Sequence, residues 1–393
     1  MQWKDNGQGF LRRNLSGISE YQSFVPTPLS QLTPLELDAE TIRLLGMCSR
    51  KIGELEGMLR FVPNKEMYLT MYVRKEALLS AQIEGTQCTF DDVLDPDNTE
   101  LVKQDVAEVV SYVRATEFAF ARMKEMPLCV RLLREVHTTL LDGTRGSDKH
   151  PGEVRTSQNW IGPAGCTLRQ AAYVPPNVDD MWDALSDLER FANECADLDA
   201  IVKAALIHYQ FEIIHPFLDG NGRLGRMLIT LSLVNDGVLG GPLFYPSYQL
   251  KLNRAEYYRR LMDVRERGEY LPWVAFFCKC LLASAEDAVG SLERLVELRN
   301  RSVASINTHL GRSAAKGQQL LTLLEEHPII DIAFVTERLG VSRPTTSNLV
   351  AEFVACGILQ QREDGKRRYR TFLYEDYLSI LRDGSEPLSS SRA

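Results

Sequence analysis

Pro216 stands where two helix-patterned stretches meet, and no continuous helix can run through it. Residues 200–214 (AIVKAALIHYQFEII) space their apolar side chains at three and four, which predicts an amphipathic helix. Proline lacks an N–H and its ring clashes with the preceding turn, so the chain breaks just after His215. Helical patterning resumes at about Arg223 (RLGRMLITLSLV). Asp219-Gly220-Asn221-Gly222 is left as the loop that opens a second helix.

That corner gathers chemistry. Gly220 and Gly222 admit positive φ and let the backbone approach a ligand closely. Successive N–H groups at the positive end of the following helix make an anion site suited to phosphates. Arg223 and Arg226, three apart on one helical face, can grip the same polyphosphate with a fork that lysine lacks. Asp219 offers a hard carboxylate oxygen beside it, the ligand type Mg²⁺ prefers. His215 is the nearby side chain that exchanges a proton close to neutral pH, and so the candidate general base. A plain helix–loop–helix corner with a satisfied histidine and surface arginines is the alternative. The whole set within twelve residues argues against it.

Read as His-Pro-Phe-Leu-Asp-Gly-Asn-Gly-Arg-Leu-Gly-Arg, residues 215–226 resemble the signature of Fic-domain proteins, His-Pro-Phe-x-Asp/Glu-Gly-Asn-Gly-Arg-x-x-Arg, at every specified position. The resemblance implies a protein adenylyltransferase, which moves the AMP part of ATP onto a Ser, Thr or Tyr hydroxyl of a target protein, the chain itself included. It implies that His215 deprotonates the hydroxyl and that Asp219 holds Mg²⁺ against the α- and β-phosphates. Gly220, Asn221 and Gly222 would form the anion hole, Leu224 and Gly225 would complete the ATP-binding stretch, and Arg223 and Arg226 would hold the β- and γ-phosphates.

A second motif lies upstream. Residues 65–83 (KEMYLTMYVRKEALLSAQI) predict a long helix ending at Glu84-Gly85. Gly85 suits a left-handed C-cap. Glu84 meets the negative end of the helix dipole; it is either tolerated in solvent, at about a few tenths of a kcal/mol, or paired with a cation from elsewhere. Ser80-Ala81-Gln82-Ile83-Glu84-Gly85 resembles the family's inhibitory motif Ser/Thr-x-x-x-Glu-Gly/Asn, which implies that Glu84 pairs with Arg226 and restrains transfer.

Residues 105–122 resemble the Glu-Val-x-Asn-Tyr helix that leads into Fic cores, with Ser111 in place of Asn, and His137 on the helix at 128–141 reads as structural. Two short runs flank Gly162-Pro163-Ala164-Gly165 and predict a hairpin or loose flap. The resemblance makes Asn159, Trp160, Ile161 and Gly162 a flap that aligns the target by strand-like pairing; a plain surface hairpin is the alternative. Residues 253–261 (NRAEYYRRL) resemble the family's Asn-Arg-x-x-Tyr-Tyr-x-x-Leu, which puts Tyr258 at the adenine pocket, against the reading of a core aromatic.

The expected fold is mainly α: a Fic-type helical core with a β-hairpin flap, plus a C-terminal winged helix-turn-helix domain. The expected divisions are 1–115 (N-terminal helical region, opening with an extended arm to about residue 35), 116–290 (core), 291–310 (helical connector), 311–380 (winged helix) and 381–393 (disordered tail). In the winged helix, Arg343, Thr345, Thr346, Ser347 and Asn348 would face a groove. A strand starting at Gly357-Ile358-Leu359, a turn at 363–366 and a return over 367–373 form the wing. Arg362, Lys366, Arg367, Arg368 and Arg370 outnumber Glu363 and Asp364 there, which fits DNA phosphates; docking of a protein is the alternative.

A net charge of −8 gives no global pull toward nucleic acid or anionic membranes. No apolar run reaches the length of a membrane span, and eight scattered cysteines without zinc spacing fit reduced thiols in a cytoplasm. Two other functions remain open: removal of AMP by the same site, with Glu84 orienting a water, and a DNA-binding regulator whose core senses nucleotide. The oligomeric state, a homodimer included, is also open.

Overall fold

The structure, a computed structural model, describes residues 8–32, 35–60, 62, 65–94, 100–163, 165–362 and 370–387. Its centre is α7 (Ala200–Ile214), buried on every side rather than amphipathic, with even Lys203, His208 and Gln210 out of solvent. The apolar spacing holds, but polar groups on the remaining face find partners inside. Lys203 pairs with Asp236 at 2.8 Å, and Gln210 donates to the Thr27 carbonyl at 3.1 Å. A helix enclosed all round belongs at the middle of a domain.

Around it lie α1 (Ala39–Leu59), α2 (Lys65–Ile83), α3 (Phe90–Leu94), α4 (Glu100–Arg122), α5 (Val130–Leu141), α6 (Val178–Glu194), α8 (Asn221–Asn235), α9 (Ser247–Leu252) and α10 (Arg254–Arg267). α8 packs closely on α7 because Gly225 has no side chain. A Cβ there would meet Glu212 Oε1 at 2.2 Å and Phe211 Cδ1 at 3.1 Å. The expected N-terminal arm is a hairpin instead. β1 (Gly9–Asn14) pairs antiparallel with β2 (Tyr21–Pro26), and the buried Phe24 donates its N–H to the Val174 carbonyl.

The expected connector is no separate element. α11 (Tyr270–His309) runs forty residues without a break, from the core to the C-terminal domain. There α12 (Ala314–Glu326), α13 (Ile332–Leu339) and α14 (Arg343–Ala355) pack beside a three-stranded sheet in the order β3 (Ile329–Asp331), β5 (Thr371–Leu373), β4 (Gln360–Gln361). This is a winged helix-turn-helix domain. Ser342 caps α14 as predicted, its side chain accepting from Thr345 N–H. Three details differ from expectation. β3 is too short to carry an alternating pattern. β4 starts at Gln360 because Gly357 turns the chain at φ 72°, leaving Ile358 and Leu359 in the core. Thr346 is buried against Thr336 and Ser342 rather than facing a groove. The wing residues Glu363, Asp364, Lys366, Arg367 and Arg368 lie outside the described residues, as do Ala164 and residues 388–393.

α15 (Glu375–Arg382) follows β5, and residues 383–387, expected within a tail, lie against the core: Ser385 is 3% exposed. Among the described residues no helix is long and apolar enough to cross a membrane.

Candidate active site

α7 ends on His215, which takes a left-handed conformation (φ 49°, ψ 59°) as its C-cap. A non-glycine residue there carries local strain of about 1–2 kcal/mol, held in place by its surroundings. Arg155 supplies much of that hold. It is buried, its Nε donates to the His215 carbonyl at 3.1 Å, and its N–H bonds the Pro216 carbonyl at 2.9 Å. A cation at a helix C-terminus also opposes the negative end of the dipole. Asn159 Nδ2 reaches the carbonyls of His215 and Phe217, both at 3.1 Å, so this expected flap residue instead braces the loop.

The loop itself is rigid. Asn221 turns inward, where its Oδ1 accepts from Phe217 N–H at 2.9 Å and its Nδ2 donates to the Phe217 carbonyl at 2.8 Å. Its side chain is a brace and not part of an anion hole. His137 stacks on Phe217 at 3.8 Å; its Nδ1 accepts from Gly152 N–H at 2.8 Å, so Nε2 carries the proton and donates to the Asp219 carbonyl at 2.9 Å. The structural reading of His137 fits, and burial pushes its pKa down to about 4. Ser111, at the Asn position of its motif, keeps a bond across to α5: its hydroxyl donates to the Asp142 carbonyl at 2.7 Å.

Above this loop lies a cavity of about 780 Å³, bordered by His215, Asp219, Gly220–Gly222, Arg223, Arg226 and Tyr258. His215 Nδ1 lies 3.3 Å from the Glu212 carbonyl and donates to it, which leaves Nε2 as the acceptor. Burial pushes the imidazole down to about 4, so it is neutral and able to take a proton across the neutral range. Asp219 is half-exposed; its Oδ1 accepts from Gly220 N–H at 2.6 Å and lies 3.8 Å from Arg223 Nη2. Arg223 is buried, and its Nη1 has no hydrogen-bond partner among the described residues, although Glu108 lies 4.0 Å away.

Arg226 is 1% exposed and engaged through Nε and Nη2. Its Nε donates to Ser80 Oγ at 2.9 Å, and Nη2 to the Ser80 carbonyl at 3.1 Å and Glu84 Oε1 at 2.7 Å. The cationic partner that the dipole argument asks for is therefore present. Glu84 follows α2 directly, and Gly85 takes φ 104° as a left-handed cap should. The carboxylate lies over the first turn of α8, where a Cβ on Gly222 would meet Glu84 Oε1 at 2.3 Å. Burial alone would raise the Glu84 carboxyl, but the charge and hydrogen bond of Arg226, with Arg223 and His215 beyond, hold it below the usual range.

Several expected site residues stand elsewhere. Leu224 is in the core and its N–H bonds the Gly220 carbonyl, while Gly225 serves the α7–α8 contact; neither borders the cavity. The expected flap is one antiparallel bridge, Ile161 to Tyr173. Ile161 borders the cavity, Trp160 bonds the Cys166 carbonyl, and Gly162 fits under Cys166 Sγ. Tyr258 borders the cavity, whereas its neighbour Tyr257 is buried with its hydroxyl on His208 Nε2 at 2.9 Å. Sequence reasoning gave no role to Arg155, which lies sixty positions from the carbonyl it caps. It also missed Glu108, whose carboxylate takes the Thr86 hydroxyl at 3.1 Å and Arg145 Nε at 2.6 Å. The one available signal for Glu108 was its place in the Glu-Val-x-Ser-Tyr run.

Among the described residues no cluster of three or more His, Cys, Asp or Glu could hold a metal by itself. A single carboxylate beside a phosphate site is nonetheless the protein share of a common Mg²⁺ shell, with phosphates and waters supplying the rest. Asp219 fits that part.

Comparison with known proteins agrees with this corner. Residues 42–121 match the Fic/DOC family N-terminal region, residues 127–233 the Fic/DOC family, and residues 313–363 the IclR helix-turn-helix domain. Protein adenylyltransferase fic-1 of Caenorhabditis briggsae is 34% identical over 142 residues, 36% of this chain and 25% of that protein. Protein adenylyltransferase Fic of Drosophila ananassae is 27% identical over 224 residues, 55% of this chain and 39% of that protein. The chain thus spans between about a quarter and two fifths of the length of these relatives. The crystal structure of a Fic family protein from Desulfovibrio desulfuricans G20 superposes with a TM-score of 0.57 at 19% identity, over 87% of this chain and 98% of that one, so the two share a fold. The chain thus carries an N-terminal Fic/DOC region over residues 42–121 and a Fic/DOC domain over residues 127–233, on a fold shared with a Fic family protein.

Proposed function

We propose that the chain is a protein adenylyltransferase, transferring AMP from ATP to a hydroxyl side chain of a protein, and that Glu84 restrains it. One observation carries the reading: the buried Arg223 Nη1, without a hydrogen-bond partner, borders the same cavity as the neutral His215 and the first turn of α8. A buried, under-satisfied guanidinium beside a helix N-terminus calls for an anion with several oxygens.

In the transfer, the target hydroxyl oxygen bonds to the α-phosphorus, the bond to pyrophosphate breaks, and His215 Nε2 takes the hydroxyl proton. Arg223 and the N–H groups opening α8 stabilise charge on the phosphates, so that positioning and electrostatics supply most of the rate. Mg²⁺ held by Asp219 would neutralise phosphate charge. Tyr258 offers a ring to the base, and the residues flanking the Ile161–Tyr173 bridge would offer backbone to an extended target segment. Arg226 can hold a terminal phosphate only once Glu84 leaves it, which is the basis of the restraint. The C-terminal winged helix, with Arg343, Ser347 and Asn348 exposed on α14, would serve to select a partner, DNA or protein.

The test is incubation of the purified chain with ATP and Mg²⁺ followed by mass spectrometry. A gain of one AMP on a Ser, Thr or Tyr, absent in His215→Ala, supports the reading. ATP binding without any transfer, to itself or to cell extract, in wild type and in Glu84→Gly alike would overturn it.

A further inference from the structure

The segment that leaves the winged-helix domain returns to the back of the inhibitory helix. Arg382 ends α15 and grips Asp91 of α3 with two bonds, Nε to Oδ1 at 2.6 Å and Nη2 to Oδ2 at 2.8 Å. Two-pronged pairing of this kind sets geometry as well as attraction. Gly384 then crosses the ring of Tyr248 at φ 72°, so closely that a Cβ there would meet Tyr248 Cε2 at 2.0 Å. The Lys251 ammonium, buried on α9, donates to the Gly384 carbonyl at 3.3 Å and to the Glu386 carbonyl. Finally Gln82 Nε2 donates to the Ser385 carbonyl at 2.9 Å and to the Cys88 carbonyl at 3.0 Å.

Gln82 is the decisive member. It is buried and stands two residues before Glu84, and its amide ties the turn at 84–88 back onto α2 while holding the incoming segment. At the other end, α15 is anchored in the C-terminal domain: the Tyr377 hydroxyl donates to the Glu325 carbonyl of α12 at 3.1 Å, and Tyr374 N–H bonds the Pro328 carbonyl. Only Tyr374 separates β5 from α15. A movement of the wing is therefore carried along one short helix to Arg382.

We infer that Gln82, Asp91, Tyr248 and Lys251 form a docking site for the chain's own residues 382–386, through which the winged-helix domain sets how firmly Glu84 holds Arg226. The inference rests on the proposed restraint by Glu84. A ligand that shifts the wing would withdraw the segment, loosen the turn after α2 and free Arg226.

Gly384→Val in the full chain tests this without altering the core, since the added side chain collides with Tyr248. Hydrogen exchange over residues 80–88 should quicken by about two- to five-fold, the scale of losing a partly exposed ion pair such as Arg382–Asp91. AMP transfer should rise by a similar factor when Glu84 is present and stay unchanged on a Glu84→Gly background. Arg382→Asp should behave alike, and adding Asp91→Arg should restore slow exchange. If residues 380–387 exchange freely in Gly384→Val while residues 80–88 exchange as in wild type, the docking site has no hold on the switch and the inference fails. If Glu84→Gly itself leaves transfer unchanged, the restraint fails instead, and the exchange measurement still decides the docking site.

Discussion

Replacing Glu84 with Gly removes one oxygen contact from Arg226 and leaves the other two. A hydrogen bond to a charged partner contributes about 1.5–3 kcal/mol when buried. The Glu84 side chain is 42% exposed, and solvent screening reduces this to about 1–2 kcal/mol. At about 1.4 kcal/mol per tenfold, the restrained state is favoured by about 5- to 30-fold over one in which Arg226 is free. Ser80 keeps the guanidinium in place through its hydroxyl and carbonyl, so the freed group still faces the cavity. Initial rates of AMP incorporation at subsaturating ATP should therefore rise by about 5- to 30-fold in Glu84→Gly. Glu84→Gln should fall between, because an amide oxygen accepts the bond without the charge. Thermal melting without nucleotide should drop in Glu84→Gly and recover on adding ATP and Mg²⁺, since phosphate oxygens replace the lost partner. Rates at or below wild type, with His215-dependent transfer measurable in both proteins, would refute the argument.

Four further outcomes follow from the geometry. His215→Ala should abolish transfer while calorimetry still finds ATP bound with affinity close to that of wild type, because the proposed phosphate contacts lie with Arg223 and the start of α8. With the imidazole pushed down to about 4, kcat/KM should stay level through neutral pH and fall only as pH drops toward that value. Asn221→Ala should lower stability by about 2–3 kcal/mol in urea denaturation, two buried backbone bonds of Phe217 being lost at once. His137 and His208 are held neutral by burial, at about 4 and about 3 against 6.5 unfolded. Their stabilisation is complete above pH 6.5 and is lost as pH falls toward the folded values, on the order of 3 kcal/mol for His137. His137→Gln should flatten the acid limb of a stability profile; an unchanged slope would contradict the tautomer derived from Gly152.

The corner around Pro216 was legible because proline chemistry and glycine permissiveness act locally. Glu84 was legible for a related reason: a carboxylate at a helix C-terminus is a local misfit, and misfits point outward to a partner. What the sequence concealed was long-range. Arg155 and Asn159 support the backbone of His215, yet nothing in their spacing to it carries that information. Leu224 and Gly225 sit inside a motif whose other members face the cavity, and only the helical turn decides that they face away. α7 carried the period of an amphipathic helix, but that period cannot reveal that a neighbouring loop and α8 supply partners for Lys203, His208 and the Gln210 amide nitrogen. The hairpin at residues 9–26 lacks a two-residue turn signal, and its pairing is evident only once Phe24 meets Val174.

The forty-residue α11 has a mechanical meaning. At about 1.5 Å per residue it is a rod about 60 Å long, and its first turns press Trp273 and Phe277 against His208, which in turn bonds the Gly225 carbonyl of the catalytic corner. A slack tether would let the C-terminal domain tumble without consequence. A stiff beam instead conveys torque, so that a load on the far domain is felt, strut by strut, beneath the floor of the cavity.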